Sequence, residues 1–179
     1  SGKTTLVNIL SGLLKPKSGK LIINSNYDLQ KNRKLNIGYV AQNINLVDDT
    51  IKNNIIFGNR SSQINKRNFD WCVRYSGIES FVKKLPSKYN TLVGDRGTKI
   101  SGGQAQKIGI ARALYNNPDI LILDEFNSSL DIQSENLIIK NFYQLKKYMT
   151  ILIISHKKSI TKSCDNVFQI KNKILKKIK

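Results

Sequence analysis

The chain has 179 residues, 30 Lys and Arg against 12 Asp and Glu, and a net charge of +18. That length suffices for one domain with a real hydrophobic core. Two widely separated cysteines, Cys72 and Cys164, exclude a disulfide framework or a zinc site, and no apolar run approaches the ~20 residues that cross a bilayer. The lysines are spread along the whole chain, so the charge is read as solvated surface, and no specific nucleic-acid site is expected.

The chain opens on Ser1, and its only methionine is Met149; with the motif described below, this leads us to expect an N-terminally incomplete domain. Apolar residues at helical spacing over Leu6 to Leu14, with Pro16 just beyond, predict a helix of about three turns. Leu21 to Ile23 and Ile37 to Val40 read as short strands. Ile51 to Leu85 reads as helical pieces broken near Gly58, Gly77 and Pro86. Ser101 to Tyr115 reads as a helix with Ser101 at its N-cap. The continuous apolar run Ile120 to Leu123 predicts a central strand buried on both faces. Ile132 to Tyr148 is predicted helical, Thr150 to Ile154 a second buried strand, and Val167 to Ile170 and Ile174 to Ile178 edge strands. Alternating strands and helices argue for an α/β sheet, with a mainly helical block inserted from Ile44 to Pro118.

Three motifs carry chemistry. Ser1-Gly2-Lys3-Thr4-Thr5 matches the end of the phosphate loop G-x-x-x-x-G-K-[ST]. There a helix N-terminus points backbone N–H groups at phosphate oxygens, Lys3 reaches the β- and γ-phosphates, and Thr4 offers a hydroxyl to Mg²⁺. Ile120 to Leu123 ends in Asp124-Glu125, which puts two carboxylates at the C-terminal edge of a strand, where open α/β sheets bind ligands. Asp124 suits Mg²⁺ and Glu125 suits an attacking water, although a strand followed by a polar turn gives the same pattern. Ser101-Gly102-Gly103-Gln104 opens a helix with two glycines and exposes N–H groups to an anion, or is a glycine-rich helix start without a ligand. His156, the only histidine, follows the second buried strand.

In this order and spacing, Gly-Lys-Thr, Gln42, Ile-Ser-Gly-Gly-Gln, Ile-Leu-Asp-Glu, Ser-Leu-Asp and His156 resemble the ATP-binding-cassette family from Ser1 to about Ile170. The resemblance implies an α/β P-loop NTPase core sheet (1–43 and 119–179) with an inserted helical subdomain carrying the signature motif (44–118), the first strands missing. It also implies ATP and Mg²⁺ as cofactors. Ser1 to Thr5, Gln42, Ser101 to Gln104, Asp124, Asp131 and His156 would hold nucleotide, and Thr4, Gln42 and Asp124 the metal. Glu125, His156 and Gln42 would be catalytic. Ser101 to Gln104 would form the signature loop that contacts the γ-phosphate bound by a partner subunit, and Ser128 to Asp131 the D-loop across the dimer interface. The implied partners are a second nucleotide-binding domain and a transmembrane domain fused upstream, placing the chain on the cytoplasmic face of the membrane. Gly94-Asp95-Arg96-Gly97, Asp49 to Gly58 and Ile108 to Tyr115 are similar to exporter-type and flippase members. A soluble cassette ATPase acting on nucleic acid or ribosomes is the alternative that the +18 charge motivates. Phe126 and Asn127 stand where relatives carry Ala-Thr, and a bulky Phe126 is expected to bear on dimer packing.

Overall fold

The structure, a computed structural model, describes residues 2–19, 35–58 and 64–179; Ser1 and the expected strand Leu21 to Ile23 lie outside them. The described residues divide into two compact parts, one within Asn36–His156 and one from the described stretches of Ser1–Leu35 and Lys157–Lys179.

The first part is organised by three parallel strands in the order β1 (Ile37–Val40), β2 (Ile120–Asp124), β3 (Thr150–Ile154). The run Ile120 to Leu123 is therefore central, as its continuous hydrophobicity requires. Leu121, Ile122 and Leu123 are fully buried, and each such burial contributes about 2 kcal/mol. Residues 151–154 of β3 are only half-buried, not buried as expected. Among the described strands β3 pairs with β2 alone, so one of its edges has no partner there.

Between β1 and β2 the described elements are helices and single helical turns. They are α2 (Ile51–Ile55), α3 (Lys66–Ser76), α4 (Glu79–Val82), two single 3₁₀ turns at Lys88–Asn90 and Asp95–Gly97, and α5 (Gly102–Tyr115). Local chemistry explains the boundaries. Thr50 caps α2 through the Asn53 N–H, Asn65 caps α3, and α3 stops at Gly77 with φ 69°. The helix α5 packs against α2, α3 and β1, and its central residues are buried on every side. Beyond β2, α6 (Ile132–Leu145) ends three residues before the expected Tyr148.

The second part holds α1 (Lys3–Leu10), α7 (Lys158–Ser163) and a hairpin of β4 (Phe168–Lys171) and β5 (Ile174–Lys177). Helix α1 is shorter than the predicted three turns, because the chain turns at Ser11 and Gly12 takes φ 76°. The two terminal strands pair with each other in an antiparallel sheet of their own. Asn172 and Lys173, both at positive φ, make their two-residue turn. Both cysteines are free thiols. Cys72 is fully buried with its thiol pushed up to about 12 by burial, so it is inert; Cys164 is half-buried.

Candidate functional site

Glu125 immediately follows the end of β2 at Asp124. Its N–H still donates to Ile154 O at 3.0 Å, its own carbonyl accepts from the Ser128 N–H, and its φ is 46°. The strand ladder and the following turn thus hold a non-glycine residue in left-handed backbone. Two residues beyond Ile154, His156 comes off β3, and its Nε2 lies 3.0 Å from Glu125 Oε1. The imidazole is 73% exposed and the carboxylate 29%. Two residues about 30 positions apart in sequence meet because β2 and β3 are register neighbours, Asp124 opposite Ile154. This is a carboxylate with an orienting partner at the C-terminal edge of a parallel sheet, the geometry of a general base.

Asp124 sits beside it, half-buried, with Oδ2 accepting a hydrogen bond from the Tyr39 hydroxyl at 3.2 Å. Burial first, then the Asp124 carboxylate, raise the Tyr39 phenol above its ordinary range. Tyr39 is not marked out by any motif in the sequence. Its signal is the two-residue alternation along β1, which puts it on the face shared with Ile122 and Asp124, but that requires knowing the register Tyr39 opposite Ile122.

Gln42 follows β1 and is exposed. The backbone on both sides of it is tied to α5. Gln106 Nε2 donates to Ala41 O at 3.4 Å. Arg112 donates from Nε to Asn54 O (2.7 Å), from Nη1 to Asn45 O (3.0 Å) and from Nη2 to Asn54 Oδ1 (3.1 Å). Burial lowers the Arg112 pKa from its ordinary value. Asn54, fully buried, is saturated, because it also bonds the N–H and C=O of Val47 and the carbonyl of Thr50. Gln106 and Arg112 were not singled out from sequence as site residues.

At the start of α5, Ser101 caps the helix in a reciprocal box. Ser101 Oγ accepts from the Gln104 N–H (3.3 Å) and Gln104 Oε1 accepts from the Ser101 N–H (3.0 Å). The two glycines have a packing reason besides any anion. A Cβ on Gly103 would stand 2.8 Å from Ser129 O, and one on Gly102 3.2 Å from Ser129 Cβ. The loop Ser128 to Asp131 thus lies directly against the start of α5. Ser101, Gly103, Lys107, Lys84, Ser129 and Asp131 line one open groove of about 740 Å³. Lys107, buried, donates to Ser80 Oγ at 3.1 Å, and burial lowers its pKa.

Asp131 is the N-cap of α6. Oδ1 accepts from the Ser134 N–H (2.9 Å) and Oδ2 from the Ser134 hydroxyl (2.7 Å), and these bonds hold its pKa below the ordinary carboxylate value. A depressed folded pKa stabilises above the unfolded value of about 3.9 and is lost as pH falls through the folded one. The melting-temperature gap between the wild type and Asp131→Ala is therefore expected to stay constant above about pH 5 and to narrow below about pH 4. Phe126 points into its own core, fully buried and edge-to-face with Phe142 at 5.5 Å. Its neighbour Asn127 is buried and donates to Glu135 Oε2 at 3.1 Å.

In the other part, Gly2 precedes α1 with φ 87°, a left-handed conformation that only glycine adopts without strain, and Leu6 N–H returns to Gly2 O at 3.0 Å. Lys3 and Thr5 are in the first turn of α1; the side chain of Thr4 lies outside what is described. A glycine-led turn into a helix N-terminus is an anion-binding geometry. Among the described residues no group of three or more His, Cys, Asp or Glu gathers to hold a metal, and no helix is long and apolar enough to cross a membrane.

A parallel sheet with paired acids at its C-terminal edge and a histidine set on one of them is the ligand-binding edge of an open α/β fold, and the other part separately carries a glycine turn leading into a helix. The ABC transporter family profile matches residues 1–128. The chain is 36% identical over 171 residues to the alpha-hemolysin translocation ATP-binding protein HlyB of Escherichia coli, covering 93% of this chain and 24% of that one. It is 35% identical over 181 residues to ABC transporter B family member 29, chloroplastic, of Arabidopsis thaliana, covering 99% and 28%. The solved structure of a bacterial Atm1-family ABC exporter with ATP bound superposes with a TM-score of 0.78 at 30% identity, covering 93% of this chain and 29% of that one. This chain belongs to the ABC transporter family. It spans about a quarter of the length of the curated relatives it matches.

Proposed function

We propose that this chain is the ATP-hydrolysing motor of an exporter. The observation that carries the reading is the Glu125–His156 contact at 3.0 Å beside Asp124. In this reading Glu125 accepts the proton of the attacking water and His156 holds Glu125 and the γ-phosphate in place. Lys3 and the N–H groups after Gly2 bind the β- and γ-phosphates. The likeness to export proteins along nearly the whole chain supports this over action on nucleic acid.

The donor set suits Mg²⁺. The Asp124 carboxylate, the Gln42 amide oxygen and the Thr4 hydroxyl are all hard oxygens. Mg²⁺ typically takes one or two carboxylates and shares its shell with phosphates and water. When bound, Mg²⁺ neutralises charge that develops on the phosphate oxygens. In this reading Gln42, flanked by Ala41 and Asn45 whose carbonyls accept from Gln106 and Arg112 of α5, relays the site's state to that helix.

The block 44–118 acts as the arm that presents Ser101 to Gln104 to nucleotide held by a second cassette, with Ser128 to Asp131 beside them. A transmembrane domain, cytoplasmically coupled, converts closure of the pair into export. The test is ATP hydrolysis by the purified full-length protein in proteoliposomes. The reading expects Mg²⁺-dependent turnover that stops with EDTA and with Lys3→Ala; turnover indifferent to both would refute it.

A further inference from the structure

Tyr39 has no role in the account so far, yet it touches the acid assigned to the cation. On β1 it stands opposite Ile122, and the alternation of side chains puts it on the same face as Ile122 and Asp124. Tyr39 is 43% exposed, so filling the core does not explain it. Its hydroxyl is 3.2 Å from Asp124 Oδ2. A phenol is protonated at neutral pH and a carboxylate only accepts, so the direction of this bond is fixed: Tyr39 donates and Asp124 receives. The bond occupies one acceptor position on Oδ2 and resists rotation of the carboxyl group. Groups that hold a metal ligand from behind in this way typically account for 10–100-fold in metal affinity.

We propose that Tyr39 is a positioning residue that orients Asp124 for the divalent cation and thereby sets affinity for the metal, not for the nucleotide. This rests on the assignment of Asp124 to the cation. The loss of one hydroxyl in Tyr39→Phe keeps the ring and the strand, so folding is expected to be unaffected.

The experiment uses the full-length protein carrying Glu125→Gln to stop turnover, saturated with ATP, with Mn²⁺ as the probe and the paramagnetic resonance of free Mn²⁺ as readout. Tyr39→Phe is expected to raise the Kd for Mn²⁺ about tenfold, with ATP binding in EDTA and the melting temperature unchanged. Asp124→Asn is the reference: adding Tyr39→Phe to it should weaken Mn²⁺ no further, because both act through one carboxylate. An unchanged or tighter Mn²⁺ Kd in Tyr39→Phe, with Asp124→Asn weakened, overturns the proposal and spares the metal assignment. Equal loss of ATP binding in EDTA, or additive effects in the double variant, overturns it too. If Asp124→Asn itself binds Mn²⁺ like the parent, the assignment of Asp124 fails and takes this inference with it.

Discussion

Replacing Glu125 with Gln in the full-length protein is expected to lower ATP turnover by a factor of about 10² to 10⁴ while leaving ATP binding intact. Gln keeps the size of the side chain and its ability to bond His156, but it cannot accept a proton from water. The backbone that holds position 125 at φ 46° is fixed by Ile154 O and the Ser128 N–H, neither of which depends on the side chain. The substitution therefore separates chemistry from architecture. Steady-state hydrolysis together with equilibrium binding of labelled ATP checks it. His156→Ala is expected to reduce turnover as well, because it removes the partner 3.0 Å from Glu125 Oε1. Full turnover in Glu125→Gln would reject the assignment of the base.

Arg112→Ala is expected to cost about 2–4 kcal/mol of stability, which for a domain of this size is a fall of about 5–15 °C in melting temperature. One guanidinium serves three acceptors on the segment after Gln42, Asn45 O, Asn54 O and Asn54 Oδ1, and lies 5.3 Å from the Phe57 ring. Truncation leaves these carbonyls short of donors in a part-buried setting and removes a cation–π contact worth about 0.5–1 kcal/mol. Arg112→Lys is expected to rescue little, since an ammonium on a flexible stem does not reproduce the planar fork. Thermal melting of the purified variants measures the cost. Because the same bonds position the chain next to Gln42, the ATPase of Arg112→Lys is expected to fall even where the fold survives. A melting temperature unchanged in Arg112→Ala would contradict the role given to this network.

What could be read from the sequence was local or continuous. Leu121 to Leu123 announce a central strand because a strand covered on both faces needs apolar residues without alternation, and the two acids that end it mark the sheet's edge. Ser101 announces a helix because serine satisfies an orphan N–H there, and Gln104 three residues on completes the box. What could not be read was set by pairing across long stretches of chain. The meeting of Tyr39 with Asp124 depends on a parallel register between strands about 80 residues apart in sequence. The approach of Ser129 to Gly103, and the reach of Arg112 back to Asn45 and Asn54, depend on how α5 packs. Helix α7 leaves little trace in the sequence because six largely polar residues carry little periodicity. The terminal strands are legible but their pairing is not, because Asn172-Lys173 lacks the glycine that usually marks so tight a turn.

The two-cassette arrangement is the claim on which the mechanism depends. Its most direct test is the structure of the full-length Glu125→Gln protein trapped with ATP and Mg²⁺. The account requires Ser101 and the Gly103 N–H of one cassette within hydrogen-bonding distance of the γ-phosphate held at Lys3 of the other. Cassettes that remain apart, with Ser101 distant from every phosphate while ATP is bound, would contradict it.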